Sequence, residues 1–378
     1  MKTAKLANIA DIQTGPFGSQ LHKEDYVDAG TPIVTVEHLG RRKLSNKNVP
    51  FVSESDAHRL SKYSLEQGDI VFSRVGSVDR CSQVSENEAG WLFSGRCLRV
   101  RPNDSMIDPD YLYYFLTLPK TQEFIRAIAV GATMPSINTS LLGEVDIDLP
   151  PLSEQVSIAK VLGALDDKIA ANQRTIRDCE SLSEALFRKT SATADITTLG
   201  KELELHYGKA LPKKSRIPGK VTVVGSGGIS GFHNEKLLDG PSIIVGRKGT
   251  IGTVHWISGP NYPIDTTFWV ESKRLPLELL YFLLKSCDFA SMNTDSAVPG
   301  LNRKNAYQVA VPWISEDSAS EIGPLLKTLR ARQEHARKEN QVLARTRDEL
   351  LPLLMSGRIT VGEAEEVANV AGTAAWES

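Results

Sequence analysis

Two adjacent cations, Arg247 and Lys248, stand between glycines in the stretch GRKGTIG, residues 246–252. Glycines let backbone N–H groups approach an oxyanion closely and the two side chains add positive charge, so this spacing suits the binding of a phosphate. It is not the G-x-x-x-x-G-K-[ST] spacing of a nucleotide-binding P-loop, which occurs nowhere in the chain. An echo lies upstream. GDIVFSRVGSVDR (residues 68–80) aligns with PSIIVGRKGTIGT (241–253), which sets Arg74 on Arg247 and Gly76 on Gly249.

Three stretches come near to catalytic patterns. GSGGISG (225–231) follows the strand-like VTVV, but Ser230 stands where the dinucleotide fingerprint needs its third glycine, and the turn-rich FHNEKLLDGP after it opens no helix. It reads as a glycine-rich loop. DPDY (108–111) is loosely similar to the (Asn/Asp)-Pro-Pro-(Tyr/Phe) motif of amino-methyltransferases; without a methyl-donor loop, a helix start with Pro109 in its first turn explains it better. Asp265, Glu271 and Lys273 loosely match the Asp and Glu-x-Lys core of metal nucleases, and exposed charges at a strand end account for them better. The seven histidines form no H-E-x-x-H pair, and no serine or cysteine sits in a recognisable nucleophile elbow. Cys81, Cys97, Cys179 and Cys287 form no C-x-x-C, so they read as small buried hydrophobes rather than a zinc site or a disulfide framework.

The chain of 378 residues is long enough for two or three domains, and 41% hydrophobic with 24% charged residues fits an ordinary globular protein. No apolar run reaches membrane-spanning length and residues 1–10 lack a signal-peptide core, so a cytoplasmic location is expected. The net charge of −2 hides a pattern: residues 1–150 carry −3, 151–194 are neutral, 195–314 carry +4 and 315–378 carry −3.

The elements that must position these loops are duplicated. Besides the Arg74/Arg247 echo, DYLYYFL (110–116) matches LELLYFL (277–283), and MPSIN (134–138) matches VPGLN (298–302), each leading through a short strand to Pro150 or Pro312. Order is kept throughout at a period of about 165 residues, which predicts two homologous domains rather than a solenoid. A heptad helix follows each domain. Ile158, Leu162, Leu165, Ile169, Asn172, Ile176, Cys179, Ser183 and Leu186 alternate by four and three, as do Ile322, Leu326, Leu329, Gln333, Ala336, Asn340, Leu343, Arg347 and Leu350. Helices of about 30 residues would be roughly 45 Å long. Neither can bury its stripe alone, so they are expected to pair. Asn172 and Asn340 either fix register inside the seam or face solvent where it opens; the spacing leaves both open. Ser153 is placed to cap the first helix. The fold class is therefore α+β, with two homologous α/β domains separated by a pair of long antiparallel coiled-coil helices. The expected boundaries are 1–152, helix 153–192, 193–314, helix 315–357, and a mobile tail over 358–378.

LPPLSEQVSIAKVLGALDDKIAANQRTIRDCESLSEALFRK (149–189) resembles the helical region of the specificity (S) subunit of type I restriction–modification enzymes, and RDELLPLLMSGRI (347–359) is similar to its second helix. TGPFGSQLHKEDYVDAGTPIV and GSGGISGFHN with GRKGTIG resemble two kinds of its target-recognition domain. VPWISEDSASEIG departs from the Pro-Pro-Leu-x-Glu-Gln pattern in the second repeat, which leaves partner contacts there less defined. The resemblance implies a non-catalytic chain that binds a bipartite asymmetric site on double-stranded DNA. It also implies two modification (methyltransferase) subunits and restriction (motor nuclease) subunits as partners. S-adenosylmethionine, ATP and Mg would then belong to those partners, with no cofactor on this chain. The candidate DNA contacts are Phe17, Ser19, Lys23, Arg74, Arg80, Lys209, Lys213, Lys214, Arg216, His233, Asn234, Arg247 and Lys248. The alternatives are a stand-alone metal nuclease using Asp265, Glu271 and Lys273, and a coiled-coil assembly protein.

Overall fold

The computed structural model describes residues 2–292 and 300–374, apart from the side chains of Ser19 and residues 371–374. It divides into two compact units, Met1–Ala170 with Asn340–Ser378, and Ala171–Glu339. In the first unit Ala10–Thr14 (β1), Ile70–Ser73 (β2), Cys81–Gln83 (β3) and Cys97–Pro102 (β4) form an antiparallel sheet in the order β1-β4-β2-β3. In the second, Leu203–Tyr207 (β5), Ser242–Gly246 (β6), Val254–Ile257 (β7) and Thr267–Ser272 (β8) form one in the order β5-β8-β6-β7, again antiparallel. The order is the same strand for strand. Each unit also pairs its incoming and outgoing strands, Lys2–Lys5 with Asp146–Leu149, and Ile196–Thr198 with Ala310–Pro312.

The strands β2 and β6 are continuous apolar runs because both of their faces are covered. Ile70 and Phe72 point into the core that holds the helix Pro109–Leu116, while Val71 points to a second core with Ile33, Val34, Leu92 and Phe93. Ile243 and Val245 likewise meet the helix Leu277–Lys285, and Ile244 turns to a small core with Val224 and Ile257. The second cores differ because the flanking sheets differ. The first unit adds four short strands, Tyr26–Val27, Thr31–Val34, Phe51–Val52 and Leu92–Phe93; the second adds three, Val221–Gly225, Gly228–His233 and Asn261–Pro263. The DPDY stretch is a helix start: Pro109 occupies the first turn and the Asp108 carboxylate accepts from Tyr111 N at 2.8 Å.

The heptad helices are Leu152–Ser191 and Glu316–Met355, 40 residues each, longer than the heptads alone suggest. Within the first unit Ile158, Leu162 and Leu165 share a core with Leu343 and Leu350, Ile169 packs against it, and Asp166 meets Arg347. Within the second, Asn172 Nδ2 donates to Glu339 Oε2 at 2.7 Å, and Gln333 Nε2 donates to Ile176 O at 3.2 Å and Glu180 Oε2 at 3.1 Å. Leu326 lies in the core there, with Leu186 packed on it; Ile176, Leu329 and Asn340 are half-buried. Numbers rise on one helix as they fall on the other, so in each unit the pairing is antiparallel. Asn172 is 3% exposed, which places it inside the seam, where Glu339 accepts its hydrogen bond.

Two expectations need correction. Ser153 lies inside the first helix rather than capping it; Pro151 O accepts from Glu154 N at 2.9 Å and Gln155 N at 3.1 Å. Residues 358–378 are not simply a mobile tail: Val361–Ala374 is a helix, with Ala364 fully buried and Val361 and Ala368 packed on the first unit's core. Its start is fixed by Thr360 and Glu363, whose side chains each bond the other's backbone N–H at 3.3 Å and 2.8 Å. Small residues at helical spacing hid that apolar stripe. The four cysteines are free; Cys81, Cys97 and Cys179 are buried, and burial pushes the thiols of Cys81, Cys97 and Cys287 up to about 12.

Arg347 is 3% exposed in this core, paired with Asp166, which also accepts from Tyr114 Oη at 2.7 Å. Burial works against the Arg347 charge, but Asp166 and Asp348 hold its pKa above the ordinary arginine value. Arg347→Leu strands the Asp166 carboxylate and should cost about 3–5 kcal/mol in urea denaturation, whereas pairing it with Asp166→Leu should recover most of the loss.

Candidate nucleic-acid interface

The two echo arginines occupy the same corner of the two sheets. Arg74 follows β2, and its Nη1 donates to Gly95 O, just before β4, at 3.1 Å. Arg247 follows β6, and its Nη2 and Nε donate to Asp265 O, just before β8, at 2.8 Å and 3.3 Å. Each lies against an aromatic ring from the far end of the first strand, Phe17 just beyond β1 and Tyr207 the last residue of β5: Arg74 Cζ is 5.9 Å from the Phe17 ring centre, and Arg247 Cζ is 5.1 Å from that of Tyr207. The backbone repeats too. Ile137 N donates to Arg74 O at 3.0 Å and Leu301 N to Arg247 O at 2.9 Å, while Val75 bridges Ser136 and Lys248 bridges Gly300. Asn138 and Asn302 then cap the short helices Thr139–Gly143 and Arg303–Tyr307. The third echo is thus visible from Met134 to Asn138 and from Gly300 to Asn302; Val298 and Pro299 lie outside the described residues.

The corners differ in charge. In the second unit Tyr207, Arg247, Lys248, Arg303 and Lys304 line an open cleft of about 360 Å³. Arg303 Cζ is also 5.0 Å from the Tyr207 ring centre, and its Nη1 donates to Leu205 O at 3.2 Å. In the first unit the cleft beside Phe17 has about 650 Å³ and is lined by Lys23 and Arg96 but also by Glu37, Asn48 and an apolar floor that includes Leu21 and Val36. Phe17 is 62% exposed at its rim.

Of the candidate contacts, the structure brings Phe17 and Lys23 to one cleft with Arg74 at the adjoining corner, and Arg247 and Lys248 to the other. Lys209, Lys213, Lys214 and Asn234 are exposed on the second unit but line neither cleft. The side chain of Ser19 lies outside the described residues. Three candidates make hydrogen bonds within the fold. Arg80 is exposed and donates to Leu39 O. Arg216 Nη1 donates to Ser230 O at 2.7 Å, holding the strand Gly228–His233. His233 is 5% exposed and its Nδ1 accepts from Ile217 N at 3.1 Å, because strand alternation turns it inward. Tyr207, Arg303 and Lys304 were missed; the VPGLN echo, which ends one residue before Arg303, was the signal that pointed to them.

The nuclease triad does not assemble. Asp265 lies before β8 while Glu271 lies four residues beyond Thr267, about 13 Å along the strand. Lys273 Nζ donates instead to Gly200 O at 2.8 Å. Glu271 does meet Glu204 and His206, with His206 Nε2 at 2.7 Å from Glu271 Oε2 and its ring stacked on Trp269.

Two copies of one sheet frame, each ending in the same arginine corner and packed on paired long helices, define a duplicated α+β protein with a loop cluster in each half. Residues 1–180 match the family model described as type I restriction modification DNA specificity domain. The chain is 31% identical over 171 residues to the putative type I restriction enzyme MjaX specificity subunit of Methanocaldococcus jannaschii, covering 44% of this chain but only 40% of that relative. It is 26% identical to the MjaIX specificity subunit of the same organism over 95% of this chain and 93% of that one. The crystal structure of a type I restriction–modification S subunit from M. genitalium superposes with a TM-score of 0.68 at 20% identity, over 93% of this chain and 95% of that one. The likeness to type I restriction–modification specificity subunits is thus carried in sequence by residues 1–180, just under half of the chain, and the fold of the whole chain is that of a solved S subunit.

Gly76 and Gly249 hold the turn after each arginine at φ of 74° and 79°, with open space where a Cβ would lie. Gly249→Ala should therefore cost roughly 1–2 kcal/mol in backbone strain. Gly259→Ala, which has open space and an ordinary φ, should be neutral or slightly stabilising. Denaturation melts of the two variants check this.

Proposed function

We propose that this chain is the sequence-specific DNA-recognition subunit of a type I restriction–modification system. Each unit reads one part of a split, asymmetric site. The paired helices carry two modification subunits, and restriction subunits complete the enzyme; methyl transfer, ATP use and cleavage then belong to those partners. The observation that carries the reading is the repeated frame with unlike loops: identical strand order and arginine corner, but different flanking sheets and clefts. A duplicated reader of two different half-sites needs this combination, because a shared frame fixes how each domain sits on the backbone while the loops meet different base edges. Among the described residues no helix is long and apolar enough to cross a membrane, which is consistent with a cytoplasmic site of action.

Replacing residues 1–150 by another recognition domain of the family should change one half of the methylated site and leave the other intact, as read by methylation profiling of cells carrying the complete system. A change in both halves, or in neither, removes the independent-reader model. The purified chain alone should transfer no methyl group from S-adenosylmethionine to DNA, and activity should appear on addition of the modification subunits. Methylation by the chain free of partner would contradict the division of labour.

A further inference from the structure

The two corners share a frame and differ in what they can bind. Around Tyr207 the second unit gathers four cations, Arg247, Lys248, Arg303 and Lys304, and the described residues lining this cleft include no carboxylate. Like charges gathered without counter-charge repel, so such a cluster is stable in proportion to the anion it meets. Two of the four are held in place. Arg247 and Arg303 each lie about 5 Å from the Tyr207 ring centre, and each donates to a backbone carbonyl, Asp265 O or Leu205 O. A guanidinium has five N–H donors, more than one carbonyl takes up, so the fixed heads still present donors to a ligand. Arginine rotamer freedom, ordinarily lost on binding, has here been lost on folding.

At the matching positions of the first unit the cations are missing. Arg74 corresponds to Arg247, but Val75 stands for Lys248, and Thr139 and Ser140 follow the capping Asn138 where Arg303 and Lys304 follow Asn302. The neighbouring cleft has Lys23 and Arg96 but also a carboxylate, Glu37, where the Tyr207 cleft has none among its described residues. The net charges of the two segments, −3 for residues 1–150 and +4 for 195–314, run the same way.

We propose that the Tyr207 corner is the chain's anchor for the DNA backbone, a seat for phosphodiester oxygens in which Arg247, Lys248, Arg303 and Lys304 make contact and Tyr207 is a positioning residue, and that the first unit's corner carries no comparable seat. The proposal rests on the DNA-binding reading above and deepens it: backbone affinity comes mainly from the second unit, and the first contributes selectivity.

The test is the salt dependence of binding to a fluorescent duplex of arbitrary sequence by the full chain assembled with its modification subunits. Each lost phosphate contact lowers the slope of log K against log salt by about one. Arg247→Ala and Arg303→Ala should each do so, and Arg74→Ala should leave the slope unchanged. Tyr207→Ala should weaken binding roughly three- to tenfold with the slope intact, since it removes order and no charge, while Tyr207→Phe should match the parent. If an alanine variant melts early, Arg247→Gln or Arg303→Gln keeps the side-chain length and loses the charge. Inorganic phosphate at fixed ionic strength should displace the duplex only at concentrations far above those at which the duplex binds; displacement at comparable concentration would assign the seat to free phosphate and overturn the proposal. An unchanged slope in the folded Arg247/Arg303 double variant, or an equal fall with Arg74→Ala, also overturns it. A parent complex that binds no duplex overturns the DNA-binding reading itself.

Discussion

A 40-residue helix with one apolar stripe cannot stand alone in water, and most of this structure follows from covering two of them. Each unit uses part of both helices as a wall of its own core: Leu162 and Leu165 with Leu343 and Leu350 in the first, Leu186 with Leu326 in the second. The polar members of the seam are paired rather than exposed. Asn172 with Glu339, Gln333 with Glu180, and Asp166 with Arg347 each give a hydrogen-bonding reason for one alignment of the helices over its neighbours. An all-apolar stripe would tolerate sliding, and these pairs do not.

On that base the duplicated sheets separate what is constant from what varies. The constant part is the four-stranded order, the arginine pinned to a carbonyl, and the asparagine cap. The variable part is attached at the outer face of β2 and β6, where the first unit builds a core of 13 buried residues and the second one of three. A frame that tolerates such different attachments can be stable for reasons unrelated to what its loops bind. Specificity can then change without endangering the fold.

Much of this was legible in the residues. The alternation by four and three located both helices, and the aligned arginines located both corners, because these signals are local or repeated. What the residues could not show was non-local. His233 looked like a loop histidine, and only pairing of its strand shows it turned inward; Arg216 looked available, and only the strand beside it shows it engaged. Tyr207, Arg247 and Arg303 come from three segments at least 40 residues apart, so no window of sequence holds the cluster. The C-terminal helix was missed for a different reason: alanine and valine at helical spacing carry little apolar weight, although Ala364 is fully buried.

The first unit is discontinuous: its core holds Leu343, Leu350, Leu351, Leu354, Met355 and Ala364, which the ribosome adds long after Ala170. At about 5–20 residues per second, the 169 residues of the second unit take on the order of ten to thirty seconds to make. For that interval Ile158, Leu162 and Leu165 lack their covering wall, whereas the second unit is contiguous and can close as soon as it emerges. Nascent chains should therefore need chaperone protection at the N-terminal half, and a stop codon anywhere between the two helices' ends would leave that half with an open core. The domain made first is the one completed last.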